Sequence, residues 1–343
     1  MEQKENKKEN VFKKLLKKEI IISLVLGLVL GLLIMVFANG GIEAFASGKL
    51  ITKGKLYNKM KNYFSIELLL EDVDKAILNK KYKLTEDDTN DLKETADGYI
   101  EQYEMYGYTK EEFLSENGFK NYDAFVEYLG LDYKRTLCAY DYLGKELEEN
   151  AVKKYYDENA FGKVNTKHIL VKISDTMDDA QAQTLANDII SRLNNGENFD
   201  TLATEFTTNY ADNVITEDLG AMGAFDNLEE AYVNGMKELE TGKYSLAPVK
   251  TSYGYHVIYC VDKTEKTEEI PAKDRMAIIN TLATEKGLKL DQETYYKALI
   301  EIRKEAGLKF FDKDFKEKYE EYCEPYVEIE DETKLDVSGE ATE

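Results

Sequence analysis

Two histidines, His168 in "NTKHILVKI" and His256 in "SYGYHVIYC", are the only ones in a chain of 343 residues. Imidazole titrates nearer to neutrality than any other side chain, so histidine is the usual proton handler and metal ligand. Each lies in a run of β-branched and aromatic residues, and a lone histidine in such a run reads as a core residue. Metal chemistry has little support. A zinc site takes three or four ligands from Cys, His or carboxylates, and nothing is spaced to complete one around either histidine. Cys138, Cys260 and Cys323 are far apart, form no C-x-x-C pair, and read as small apolar residues rather than a disulfide framework. No G-x-S-x-G, Walker or G-x-G-x-x-G motif occurs, so hydrolase and nucleotide chemistry have no anchor. Neither a metal nor a cofactor is expected.

The elements that must position these residues fall into distinct stretches. The formal charge of −22 argues against a nucleic-acid partner, because phosphate needs a basic face. Residues 20–38, "IIISLVLGLVLGLLIMVFA", are apolar or small apart from Ser23, close to the roughly 20 residues that span a bilayer as a helix. Lysines 4, 7, 8, 13, 14, 17 and 18 precede it, so the positive-inside bias places the N-terminus in the cytoplasm and the bulk of the chain outside. "AFAS" at 44–47 offers an A-x-A-like cleavage site, but the apolar run exceeds the usual signal-peptide length of about 7–15 residues. An uncleaved anchor is the preferred expectation, with secretion after cleavage near Ala46 as the alternative. A cytoplasmic basic tail (1–19) and a transmembrane helix (20–40) therefore open the chain.

Residues 50–162 read as helical almost throughout. Leu56, Met60, Tyr63, Ile66, Leu69, Leu70, Val73 and Ile77 recur at three- and four-residue spacings. "TEDD" at 85–88 and "TKEE" at 109–112 are capping boxes that start new helices, and Gly98, Gly107, Gly118 and Gly130 mark breaks or helix ends. Tyr99, Tyr103, Tyr106 and Tyr108 read first as packing residues and second as a surface for client chains. At 163–264 the pattern changes to a β-run, a helix ending at Asn195-Gly196, a glycine-punctuated loop "EDLGAMGAF", a second helix and two β-runs, "YSLAPVKT" and "GYHVIYCVD". Such an order indicates a compact α+β domain. Helical periodicity returns over 265–325 after Pro271, and 326–343 reads as an acidic disordered tail. The fold expected is α+β: an N-terminal transmembrane helix, an all-α domain from discontinuous segments, and an α+β domain inserted between them.

The segment 164–262 resembles the parvulin family of peptidyl-prolyl isomerases, through "KHILVK", "GENFDTLATEF", "DLG" at 218–220, "LETGKYS" at 239–245 and "PVKTSYGYHVI" at 248–258. The layout around it is similar to that of PrsA-type extracytoplasmic foldases of Gram-positive bacteria. The resemblance implies that His168 and His256 lie on neighbouring central strands behind a proline pocket. It implies pocket walls at Leu228 and Tyr232, flanked by Leu219 and Met222, and a network threonine at Thr251. The family's Asp or Cys falls in "EFTTNYAD" and maps onto Asn209, with Asp212 as the alternative.

Isomerisation needs no nucleophile. The X-Pro amide resists rotation by about 18–20 kcal/mol through resonance, so catalysis asks for an apolar socket and polar groups that favour the twisted amide. The resemblance implies a membrane-anchored prolyl isomerase and chaperone whose partners are unfolded or newly exported polypeptides. The alternative is a holdase with a degenerate parvulin domain, which Asn209 favours because it cannot ionise. A surface scaffold with no folding role is a third reading. A phospho-Ser/Thr preference is not expected, because no basic cluster lines up with the proline loop. A homodimer through the tyrosine-rich helices is open but has no signature.

Overall fold

The computed structural model describes residues 42–46, 49–63 and 66–327. The basic tail, the transmembrane helix expected at 20–40 and residues 328–343 lie outside them. No described helix is long and apolar enough to cross a membrane. In chain order the elements are β1 (Ile42–Ala46), β2 (Lys49–Thr52), α1 (Lys53–Tyr63), α2 (Ile66–Lys81), α3 (Glu86–Glu104), α4 (Lys110–Glu116), α5 (Tyr122–Leu143) and α6 (Ala151–Asn159). They continue with β3 (Val164–Lys172), α7 (Asp179–Asn194), α8 (Phe199–Asn209), β4 (Val214–Met222), α9 (Glu230–Lys237), β5 (Val249–Thr251) and β6 (Gly254–Lys263). Three helices follow, α10 (Ala272–Glu285), α11 (Gln292–Glu305) and α12 (Lys313–Cys323).

The chain divides into two compact units, one comprising residues up to Lys75 with those from Lys309 on, the other running from Ala76 to Leu308. In the first, β1 and β2 pair antiparallel, and Ala44 and Ala46 of the A-x-A-like site lie in β1. Lys61 of α1 holds the start of α12: its Nζ lies 2.8 Å from Asp312 Oδ2 and 2.6 Å from Asp314 Oδ2. These hydrogen bonds raise the Lys61 pKa, and its carbonyl accepts from Lys318 Nζ at 2.6 Å.

In the second unit, segments far apart in sequence share one helical core. Leu131, Cys138 and Ala139 of α5 pack with Ala298, Leu299 and Ile302 of α11, and Leu143 packs with Ile279 and Ala283 of α10. Both expected capping boxes form, Thr85 with Asp88 and Thr109 with Glu112, each satisfying two otherwise orphaned N–H groups. Gly107 and Gly118 follow helix ends, whereas Gly98 and Gly130 sit inside α3 and α5. A Cβ at Gly130 would meet Leu84 and Leu92 in ordinary van der Waals contact and one at Gly98 would meet nothing within 4 Å, so neither position demands glycine.

The inserted sheet has the order β4-β3-β6-β5, with every pair antiparallel. β3 is therefore hydrogen-bonded on both sides. Side chains alternate across its two faces. Ile169, Val171 and Val257 face α7 and α8, packing on Ile189, Leu193, Leu202 and Phe206. The other face carries Val164 and Ile258 against Tyr232 and Met236 of α9. Two expectations need correction. "EDLGAMGAF" is a loop only in its last three residues, because residues 214–222 form strand β4. "YSLAPVKT" is only partly a strand, since β5 is confined to 249–251 and Tyr244 makes an isolated bridge to Tyr259.

Gly254 follows the two-residue turn between β5 and β6 at φ +142°, and a Cβ there would sit 2.1 Å from the Val171 carbonyl oxygen. Neither strain nor clash can relax without parting β3 from β6. Gly254→Ala is expected to lower the unfolding free energy by about 3 kcal/mol. Urea unfolding followed by circular dichroism checks this, since the chain has no tryptophan. An unchanged midpoint would show that the hairpin yields.

Candidate functional site

The register of β3 and β6 brings the histidines together. His168 pairs with Ile258 and Leu170 with His256, so both imidazoles leave the same face of neighbouring strands. Their ring centroids lie 4.7 Å apart at 78°, and both side chains are buried. Tyr232 completes a cluster of three rings, edge-on to each, 5.6 Å from His168 and 5.1 Å from His256.

Hydrogen bonds fix this cluster. The Tyr232 hydroxyl donates to Thr166 Oγ1 at 3.3 Å and lies 3.2 Å from His168 Nδ1. Thr251 Oγ1 lies 2.8 Å from His256 Nε2 and accepts from the Tyr253 N–H. The far nitrogens, His168 Nε2 and His256 Nδ1, are buried without a hydrogen-bond partner. Unsatisfied buried polar atoms of this kind mark functional sites or bound water.

Burial also sets the charge. It pushes the pKa of His168 down, against the opposing pull of Glu217. His256 falls to about 4, mainly through burial and then through His168, with Glu229 opposing. Both rings are therefore neutral at pH 7. Burial raises the Tyr232 hydroxyl to about 12, which keeps it a phenol.

The expected pocket residues come together. Leu219, Met222 and Leu228 pack, partly buried, in one cluster with buried Tyr232. Glu229, the residue preceding α9, ties this wall to the β5–β6 turn. Its carboxylate accepts from the Ser252 N–H at 2.9 Å and from the Ser252 hydroxyl, and these bonds lower its pKa.

Asn209 does not join the site. It is the exposed last residue of α8, whose Phe199, Leu202 and Phe206 pack on the opposite face of the sheet from the histidines. Asp212, the alternative, is exposed in the turn after α8. The carboxylate at the site is Glu217 of β4. Glu217 is the register partner of His168, so the two side chains share a face, and its Oε2 lies 3.7 Å from the unpartnered His168 Nε2. Its side chain is 52% exposed, which leaves it open at the rim. Sequence reading passed over Glu217 because its segment was taken for a loop. Thr166 could have been found, since it stands two residues before His168 in the same β-run and must share its face.

Comparison with known proteins follows the same lines. Residues 150–264 match the model of the PPIC-type PPIase domain family. The chain is 31% identical over 287 residues to the foldase protein PrsA of Geobacillus kaustophilus, covering 83% of this chain and 92% of that one. It is 27% identical over 275 residues to PrsA of Bacillus subtilis, covering 78% and 82%. The crystal structure of a peptidylprolyl isomerase (PrsA) from Bacillus cereus is 24% identical, covers 82% of this chain and 98% of its own, and aligns with a TM-score of 0.34.

A depressed histidine pKa makes stability depend on pH in one direction. Between about pH 6.5 and about pH 4 the unfolded chain binds the His256 proton and the native fold does not, so stability falls as the solution is acidified. From pH 7 to pH 5 that site contributes a loss of about 2 kcal/mol. Urea unfolding at the two pH values should show His256→Gln losing less stability than the wild type by that amount. Equal losses would mean that the imidazole is not held neutral.

Proposed function

The chain belongs to the PrsA family of foldases and carries a peptidyl-prolyl isomerase domain, and from that premise we propose how its pocket works. Leu219, Met222, Leu228 and Tyr232 grip the proline ring of an X-Pro bond. Glu217 supplies the charge that favours the twisted amide. His168, His256, Thr251 and Thr166 hold the floor rigid and neutral, and no histidine acts as a base, because no proton moves in the reaction.

The physical argument rests on resonance. A planar amide places negative charge on its carbonyl oxygen, and twisting withdraws that charge as the C–N double-bond character is lost. A carboxylate beside that oxygen penalises the planar form more than the twisted one, which is differential stabilisation of the transition state. Neutral histidines are part of this device, since a cationic imidazole next to Glu217 would cancel the field. The observation that carries the reading is the placement of Glu217 on the histidine face at the open rim.

The degenerate-isomerase alternative drew its support from Asn209, which stands at the end of α8 away from the pocket. The acting carboxylate is assigned to β4 instead. The clients are unfolded or newly exported polypeptides, in which slow X-Pro exchange limits folding. The transmembrane helix expected at 20–40 serves as a retained anchor that keeps the acidic bulk of the chain outside the membrane.

Cis–trans exchange of X-Pro peptides, measured by NMR with the purified full chain, tests the pocket. Glu217→Gln is expected to lower kcat/KM at least tenfold, about 1.4 kcal/mol in transition-state stabilisation, whereas Asn209→Ala stays within twofold. Wild-type activity with an unaffected Glu217→Gln would remove the carboxylate from the mechanism. No exchange with any variant would leave a chaperone without catalysis. For the anchor, carbonate-washed membranes should retain the full-length chain, and a shortened soluble product would refute it.

A further inference from the structure

We propose that the lobe formed by α3, α4 and the first half of α5 is a docking surface for cationic, lysine- or arginine-rich segments of unfolded chains. This rests on the foldase reading only in that such chains are present as clients.

The lobe has an aromatic interior whose rim is left open. Phe113 and Phe125 are buried with ring centroids 5.1 Å apart, and they fill the lobe's own core with Ala96, Ile100 and Leu114. Around them the rings continue outward: Tyr103 lies 4.8 Å from Phe113, Tyr108 lies 5.7 Å from Tyr103, and Tyr99 lies 6.2 Å from Phe125. Tyr99 is 51% exposed, Tyr106 76% and Met105 87%. Tyr99 and Tyr103 stand one turn apart at the end of α3, and Tyr106 follows in the turn after it. The core beneath is complete without these rims, and their exposed faces have no packing role left to play.

The charge of the lobe selects the occupant. Residues 86–128 hold thirteen carboxylates against three lysines. One of those lysines already shows the contact in question, because Lys110 Nζ stands 3.9 Å from the centroid of Tyr122 in the same lobe. An aromatic face offers an ammonium or guanidinium group its quadrupole, and surrounding carboxylates draw the cation in and hold it. A second copy of this chain is a poor occupant, since two such lobes would oppose like charge to like charge, and the chain as a whole carries −22. An anionic lipid surface is repelled for the same reason. A flexible segment with alternating cationic and apolar side chains satisfies both the rings and the carboxylates.

The test uses the purified full chain and three fluorescein-labelled, unstructured, proline-free 20-residue peptides of matched apolar content, read by anisotropy. One peptide carries six lysines, one six glutamines and one six glutamates. The lysine peptide should bind at least tenfold more tightly than the glutamine peptide, and its affinity should fall about tenfold between 50 and 300 mM salt. Glu101→Lys/Glu104→Lys should weaken it at least tenfold, and Met105→Ser/Tyr106→Ser/Tyr108→Ser about fivefold, with the circular dichroism of both variants unchanged. X-Pro exchange should be unaltered in both, because neither touches the proline pocket. Equal affinity for the lysine and glutamine peptides, or binding indifferent to the charge-reversal variant, would overturn the proposal. So would a concentration-dependent dimer abolished by the tyrosine variant without any peptide preference. If the lysine peptide fails while X-Pro exchange and suppression of aggregation of a neutral unfolded client persist, the docking surface falls and the foldase reading stands. Loss of those two activities in the wild type would instead remove the foldase reading.

Discussion

The site depends on one strand, β3, being hydrogen-bonded on both edges. Its pairing with β6 sets His168 beside His256, and its pairing with β4 sets Glu217 against His168. A slip of one residue in either ladder would turn the affected side chains to the opposite face, where α7 and α8 pack. The apolar packing of Ile169, Val171 and Val257 against those helices resists such a slip. Burial on one face of the sheet thus sets the geometry of the polar groups on the other.

The same burial decides the electrostatics. Two imidazoles 4.7 Å apart in water would each spend part of their time charged near neutral pH. Removed from solvent they are held neutral, and their hydrogen bonds to Thr251 and Tyr232 orient them instead. The charge of the site is left to carboxylates at its rim. Glu229 is engaged with Ser252, so its role is to lock α9 to the β5–β6 turn, whereas Glu217 stands beside His168 Nε2 at the open rim. The chemistry proposed for it is one of shape and field, which suits a reaction that breaks no bond.

The helical parts extend the same economy of local signals. Thr85 with Asp88 and Thr109 with Glu112 start their helices where the capping pattern placed them, because a capping box is satisfied within four residues and needs no distant partner. Gly98 and Gly130 misled, since a single glycine inside a helix costs only about 1 kcal/mol relative to alanine and the packing of the rest of the helix outweighs it.

The sequence alone determined what is local or strongly patterned. The β-runs around His168 and His256 and the order of strands and helices that marks an α+β insertion were legible, since alternation and helical spacing are written into neighbouring residues, whereas Leu219, Met222, Leu228 and Tyr232 were singled out by the resemblance to parvulins alone. Only the tertiary structure decided which carboxylate stands beside the histidines. Strand β4 is mostly exposed along its length and lacks clean alternation, so "VITEDLGAM" carries no sequence signature of a strand. Its identity comes from hydrogen bonds to β3, about fifty residues earlier, and a backbone ladder leaves no mark on side-chain types. Asn209, chosen by counting along the chain, ends a helix on the far side of the sheet. Glu217, eight residues on, faces the histidines because pairing with a distant strand put it there.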